Sequence, residues 1–144
     1  MIKKLLLVLL MSLFLNAETE FAEPEPSMVN PRKILFSINS ADDAQIHHVL
    51  STANNIIKFY GVDNVQVRIV AYYHGIKMLL KQNRDIALRV EALTLLDVEF
   101  VACKNTMVTK KIREEDLVEG IYIVTAGVAE IAERIKEGWA YIVP

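Results

Sequence analysis

The sequence predicts an α/β fold in which a mostly parallel β-sheet carries helices on both faces. Short apolar runs alternate with longer amphipathic segments from Arg32 onward, and this alternation is typical of βαβ units with right-handed crossovers. The apolar runs are nearly continuous, as expected for strands that are covered on both faces. A chain of 144 residues is long enough for one domain with a substantial core.

The amino-terminal segment has the three-part pattern of a secretory signal peptide. Lys3 and Lys4 precede an apolar run from Leu5 to Leu15, and small residues follow. We predict cleavage after Ala17, with Ala22 as the second choice, and therefore a periplasmic protein. The apolar run is short for a membrane span. A retained anchor in the inner membrane is the alternative.

Removal of residues 1–17 would change the formal net charge from −2 to −4, because two lysines are lost. A mildly acidic protein is a poor partner for nucleic acid or for an anionic membrane surface. Residues 18–31 contain three of the four prolines among acidic and small residues, which indicates a flexible tether. The folded domain is thus predicted to span residues 32–144.

The first half of the domain is predicted to form two strands and a helix. The apolar run Lys33–Ile38 is the first strand. Apolar residues recur at helical spacing in Asp42–Tyr60, and Ser40 with Asp43 resembles a capping box. VQVRIVAY, residues 65–72, reads as the second strand because it is rich in β-branched residues.

The second half is predicted to form three strands that are rich in β-branched and aromatic residues: Val98–Cys103, Ile121–Thr125 and Trp139–Val143. Helical spacing predicts a short turn at Ile76–Leu80 and helices at about Arg84–Leu96 and at Val128–Lys136. The charged run KKIREED, residues 110–116, is interpreted as a solvated helical segment.

The carboxyl ends of the strands are the predicted functional edge. In a parallel sheet the loops after the strands emerge on one side, where ligands bind. Polar or small residues of these loops form the predicted rim: Asn39, Tyr73, His74, Lys104, Asn105, Thr106 and Gly127.

Cys103 is the only cysteine and ends the third strand, so no internal disulfide is possible. A helix start after it and the cation of Lys104 would favour the thiolate, which is the nucleophilic form. Free cysteine is also among the most buried residue types. Position alone therefore supports a reactive thiol and a core residue equally, and an intermolecular disulfide is a third reading.

His74 follows the second strand directly, so a parallel sheet would bring it to the same edge as Cys103. A neutral imidazole there could accept the thiol proton, and an imidazolium could stabilise the thiolate. The alternative is a histidine bonded to a backbone carbonyl. His47 and His48 are adjacent on a helix and point in different directions, so no metal site is predicted. Phosphate-binding glycine motifs and GxSxG are missing from the sequence, and no cofactor is predicted.

The chain resembles the DsrE/DsrF-like (sulfur relay) family, particularly its small exported members. Four features carry this resemblance in order: Tyr73-His74-Gly75 after a strand, LLDVEFVACKNTM around the cysteine, TAGVAEIAERIKEG, and the terminal GWAYIVP. The resemblance extends from Lys33 to Pro144. It implies a three-layer α/β/α fold with a five-stranded sheet whose last strand lies beside the first. Asp97 stands where the family usually has glycine, and aspartate tolerates the left-handed backbone such a turn requires.

The resemblance also implies a function. It matches Cys103 to a sulfur-carrying cysteine, and His74, Asn105 and Thr106 to residues around it. The implied activity is a persulfide relay of the sulfurtransferase type, with a protein or a small sulfane-sulfur compound as donor or acceptor. It further implies a homo-oligomer, often a trimer or hexamer. A non-catalytic oligomeric binding module with a buried cysteine is the alternative.

Overall fold

The structure is a computed structural model that describes residues 19–144. The signal-peptide prediction falls on residues 1–17, which lie outside the described residues. The strands are β1 (Arg32–Ile38), β2 (Val65–Ala71), β3 (Glu99–Cys103), β4 (Tyr122–Val124) and β5 (Ala140–Ile142). The α-helices are α1 (Asp43–Tyr60), α2 (Arg84–Thr94), α3 (Lys104–Lys110) and α4 (Gly127–Lys136). Short 3-10 helices cover Val62–Asn64, Tyr73–Leu79 and Glu114–Asp116.

The five strands form one sheet in the order β4-β3-β2-β1-β5. Every neighbouring pair is parallel, and β5 returns beside β1 with Ile34 paired to Ala140. The predicted α/β fold is therefore confirmed, including the position of the last strand.

Two apolar cores lie on opposite faces of the sheet because successive strand residues point to opposite sides. On one face, β1 and β3 contribute Phe36 and Phe100 to a core that includes Ile46 of α1 and Val90 of α2. The smaller core on the other face consists of Leu35, Val70, Val101, Ile131 and Trp139. Helices on both faces give the three layers.

The 3-10 helix after β2 packs so closely against the end of β1 that only glycine fits at position 75. A Cβ atom on Gly75 would lie 2.1 Å from the carbonyl oxygen of Ile38 and 2.8 Å from the nitrogen of Asn39. The Tyr72 N–H donates to the Ile38 carbonyl at 3.1 Å, and the Gly75 N–H donates to the Tyr72 carbonyl at 2.9 Å. The loop that carries the neighbouring Tyr and His residues is thereby fixed at the carboxyl edge.

The start of α1 differs from the predicted capping box. Asp42 is the N-cap, and its Oδ2 accepts a hydrogen bond from the Gln45 N–H at 3.2 Å. The Ser40 hydroxyl accepts from the Asp42 N–H at 3.1 Å instead of capping the helix. The capping prediction for Ser40 and Asp43 is wrong, because the helix begins two residues later than that pattern implies and Asp42 makes the capping bond.

The segment after Cys103 also differs from the prediction. A complete helix, α3, begins at Lys104, whereas only a possible helix start was expected there. It ends at Lys111, whose φ is 56°, so KKIREED is not one helical segment as predicted. At the helix-to-strand turn before β3, Asp97 has φ 62°, the left-handed backbone that its sequence context suggested.

The described part of the predicted tether contacts the domain. The Phe21 ring centroid lies 5.5 Å from that of Phe59 and 5.8 Å from that of Tyr60. The guanidinium of Arg32 donates to the carbonyl oxygens of Ala22 and Pro24. This segment is thus docked on the domain in the structure. Within residues 19–144, no helix has the length and apolar character that crossing a membrane requires.

Candidate functional site

Cys103 lies at the carboxyl end of β3, where the strand passes directly into α3. It is the N-cap residue of α3, and its strand partner is Val124 of β4. The residue is 6% exposed. The cysteine is therefore at the predicted ligand edge of the sheet but sits just beneath its surface.

Opposing influences act on the ionisation of Cys103. Burial is the largest, and it acts to raise the pKa of the thiol. Hydrogen bonds from the Thr106 hydroxyl and from the backbone N–H groups of Gly127, Thr106 and Asn105 act in the opposite direction. Together these donors outweigh burial, so the pKa of Cys103 lies below its ordinary value.

Thr106 connects the cysteine to the loop after β2. Its Oγ1 accepts a hydrogen bond from the Tyr73 N–H at 3.0 Å, which leaves the hydroxyl proton free to point at the sulfur of Cys103. The donor is therefore oriented by the backbone of a neighbouring loop.

Gly127 brings the loop after β4 against the same cysteine. A Cβ atom at this position would lie 3.2 Å from the Cβ atoms of Cys103 and Tyr72 and from Cγ1 of Val70. The absence of a side chain lets the Gly127 N–H reach the sulfur. The Asn105 N–H also donates to the carbonyl of Thr125 at 3.1 Å, so this N–H is shared between Thr125 and the thiol of Cys103. The starts of α3 and α4 thus meet at one thiol, and the loop after β2 is joined to it through Thr106.

His74 lies on the same rim, but the structure gives it a different partner. Its Nδ1 accepts a hydrogen bond of 3.0 Å from Nζ of Lys110, and its ring centroid is 3.8 Å from that of Tyr73. No hydrogen bond joins His74 to Cys103 in the described structure. Direct proton transfer between His74 and Cys103, as predicted from the sequence, would require such a contact. In the structure His74 bonds instead to Lys110 of α3, a partner that the sequence pattern did not indicate.

Lys104 is paired with a carboxylate. Its Nζ forms an ion pair of 3.1 Å with Oε1 of Glu114 in the 3-10 helix that follows α3. The groups that lower the pKa of Cys103 are the Thr106 hydroxyl and backbone N–H groups, and stabilisation of the thiolate by Lys104 stays a prediction.

The remaining rim residues divide between two cavities. Tyr73, Asn105 and Thr106 line a cavity of about 210 Å³ next to Cys103, together with Thr109 and Lys110. Asn39 lines a separate cavity of about 390 Å³ with residues that include Ser37, His48, Tyr72 and Tyr141. Asn39 Nδ2 donates to the hydroxyl of Tyr72, which lines the same cavity, at 3.5 Å.

The sequence interpretation missed Thr109 and Lys110. With Thr106 they follow a three- and four-residue spacing, which places them on one face of a helix. That spacing was the available signal, and it required recognising α3. Among residues 19–144 there is no group of three or more His, Cys, Asp or Glu side chains that could hold a metal ion.

Comparisons with known proteins agree with this architecture. A family model described as DsrE/DsrF-like matches residues 32–144. A solved structure, that of the protein of unknown function MTH1491 from Methanobacterium thermoautotrophicum, is 32% identical, with a TM-score of 0.74. The alignment covers 78% of this chain and 99% of that one.

The ychN protein from E. coli shares the fold, with 19% identity and a TM-score of 0.69 over 78% of this chain and 99% of that chain. No curated protein matches the sequence.

Proposed function

The chain belongs to the DsrE/DsrF-like family, and on this basis we propose that it is a periplasmic sulfur carrier that holds a persulfide on Cys103. The family is implicated in sulfur relay. The observation that carries the proposal is the Cys103 thiol at the start of α3, where donors from Thr106 and Gly127 hold its pKa below the ordinary value. A lowered thiol pKa is typical of reactive cysteines.

The proposed chemistry has two transfers. The Cys103 thiolate attacks the sulfane sulfur of a donor, the bond between that sulfur and the donor breaks, and the donor leaves with the bonding electron pair. An acceptor thiolate then attacks the outer sulfur and releases the Cys103 thiolate. The donors from Thr106 and Gly127 stabilise the anion before and after each step. No external oxidant or reductant is needed.

In this proposal His74 acts at the entrance rather than on the thiol. Its bond to Lys110 and its contact with the Tyr73 ring hold the side chains that face the cavity beside Cys103. His74 is therefore assigned a positioning role.

One observation favours a second candidate, a non-catalytic oligomeric binding module with a structural cysteine. Cys103 is only 6% exposed and packs against Gly127. In that case the thiol would be a small core residue and the larger cavity that Asn39 lines would hold the ligand.

Alkylation of the thiol as a function of pH separates the two candidates. For a sulfur carrier, iodoacetamide modifies the folded protein near neutral pH, and the rate rises through a midpoint below that of an ordinary thiol, about 8.5. The direction follows from the lowered pKa of Cys103. A thiol that reacts only after denaturation would support the binding module.

Replacing Thr106 by valine is expected to slow this alkylation at pH 7 about three- to tenfold. Valine keeps the shape of threonine but lacks the hydroxyl donor, while burial continues to raise the pKa of Cys103. Thr106→Ser is the matched control, since it keeps the donor and should retain the native profile. Identical profiles for Thr106→Val and the native protein would show that the Thr106 hydroxyl does not lower the pKa of Cys103.

The proposal includes export and a homo-oligomer, a trimer or hexamer. Export rests on the amino-terminal sequence pattern, with an inner-membrane anchor as the alternative. Exposed apolar side chains on β4 and α4 support assembly: Tyr122 is 56%, Val128 63% and Ile135 46% exposed. Sedimentation of the chain without residues 1–17 is expected to give a multiple of the monomer mass. A monomer at micromolar concentration would contradict this part.

A further inference from the structure

The cavity of about 210 Å³ beside Cys103 presents a positive charge that no neighbouring carboxylate neutralises. Lys110 lines it, and no Asp or Glu is among the lining residues. None of the ion pairs formed within residues 19–144 includes Lys110. By contrast, Lys77 pairs with Asp43 and Lys104 pairs with Glu114. Lys110 thus differs from these two lysines.

The ammonium group of Lys110 is nevertheless held in place. Nζ donates to His74 Nδ1 at 3.0 Å and lies 5.6 Å from the centroid of the Tyr73 ring. An ammonium has three donors, so those not used by His74 remain for an acceptor in the cavity. A lysine that is held by an imidazole nitrogen and an aromatic ring, and by no carboxylate, keeps its charge available for a ligand.

Tyr73 adds a second sign of a binding site. Its φ of 52° is uncommon for a residue other than glycine, and its side chain is 59% exposed. Backbone conformations of this kind concentrate at functional sites. Here the unusual conformation places an aromatic ring against Lys110 at the cavity.

The size and position of the cavity define its ligand. It is smaller than pockets for drug-sized molecules, which occupy about 300 to 1,000 Å³. Thr106 lines the cavity and also donates to Cys103, so a single side chain links the cavity to the thiol. A small compound with negative charge at one end fits this cavity and its single cation.

We propose that this cavity binds the anionic end of a small sulfane-sulfur donor and that Lys110 is its recognition residue. The inference rests on the proposed sulfur-carrier function and narrows the donor class to small anions, of which thiosulfate is the simplest.

With thiosulfate the transfer balances within the two reactants. The Cys103 thiolate bonds to the outer sulfur, the sulfur–sulfur bond of thiosulfate breaks, and sulfite leaves with the electron pair. One negative charge remains on the Cys103 persulfide and two on sulfite, as in the reactants. Lys110 would hold the oxyanion end during the attack.

The test compares thiosulfate, a dianion, with the persulfide of cysteamine, which carries an ammonium group and no oxyanion end, by the rate of sulfur addition to the folded full-length chain. Intact mass gives the extent of addition at each time. Lys110→Met is expected to slow transfer from thiosulfate about 10- to 100-fold, because a charge-assisted hydrogen bond is lost. Transfer from cysteamine persulfide should stay at the native rate or rise.

Two matched variants complete the design. Lys110→Arg keeps the charge and should retain at least about a third of the thiosulfate rate. Lys111→Met makes the same charge change at the next residue, which lines a different cavity, and should behave as native.

Equal slowing of both donors in Lys110→Met, or equal effects of Lys110→Met and Lys111→Met, would overturn the inference. Native protein that accepts sulfur from cysteamine persulfide but not from thiosulfate would overturn it too, while the sulfur-carrier function stands. Native protein that accepts sulfur from neither donor would overturn both.

Discussion

Gly75→Ala is expected to destabilise the domain by about 3 kcal/mol or more, or to prevent folding. The new Cβ would lie 2.1 Å from the carbonyl oxygen of Ile38, a backbone atom at the carboxyl end of β1. Relief requires separating the 3-10 helix from β1, which also breaks the Tyr72–Ile38 hydrogen bond. Urea or thermal unfolding followed by circular dichroism measures the change.

Gly138→Ala is the matched control for this substitution. Nothing lies within 4 Å of a Cβ built at Gly138, but its φ is 88°, so alanine there meets backbone strain without a collision. A cost of about 1 to 2 kcal/mol is expected. If Gly75→Ala is at least as stable as Gly138→Ala, the 3-10 helix can move away from β1 at little cost in free energy. That result would contradict the close packing described above.

Cys103→Ser is expected to abolish both alkylation and sulfur loading, a loss of at least about 100-fold in either rate. The serine hydroxyl stays protonated at neutral pH, whereas the native thiol has a lowered pKa. Intact mass and iodoacetamide labelling measure the two activities.

The same substitution should leave the fold intact. Serine is close to cysteine in size and can accept the hydrogen bonds from Thr106 and Gly127, so the unfolding free energy should change by no more than about 2 kcal/mol. Loss of loading in a folded Cys103→Ser protein then assigns the chemistry to the sulfur. Undiminished loading in this variant would place the acceptor elsewhere.

The sheet could be predicted from the sequence because each strand is a short apolar run between amphipathic segments. All five predicted strands occur, with ends that differ by at most one residue, as is usual for frayed termini. β5 was found although its three residues are exposed, because Trp139 and the apolar residues after it follow the stop of a helix at Gly138. The alternation of strands and helices along the sequence was therefore enough to predict this fold.

The site was harder to predict because it depends on α3. Its sequence KNTMVTK contains Thr106, Val108 and Thr109, whose β-branched side chains are weak helix formers. Its N-cap is Cys103, which is not a preferred capping residue. Tertiary packing at Met107, which is 1% exposed, holds the helix instead.

The partners of the rim side chains could not be predicted either, because their contacts depend on α3. Lys110 reaches His74 only because α3 runs past the loop after β2, across 36 positions of sequence. Lys104 pairs with Glu114 because α3 ends at Lys110. The left-handed backbone of Lys111 then turns the chain back toward the start of the helix. Sequence reasoning placed these residues on the correct edge of the sheet, but their contacts depend on how separate loops pack.

The central claim is that Cys103 carries sulfur, and the intact mass of the folded protein tests it most directly. The chain is reduced, freed of reductant, incubated with thiosulfate or cysteamine persulfide, and weighed before and after treatment with dithiothreitol. The account predicts the addition of one sulfur atom to the native protein, its removal by dithiothreitol, and no addition to Cys103→Ser. An unchanged mass of the native protein with both donors, or the same gain in Cys103→Ser, would contradict it.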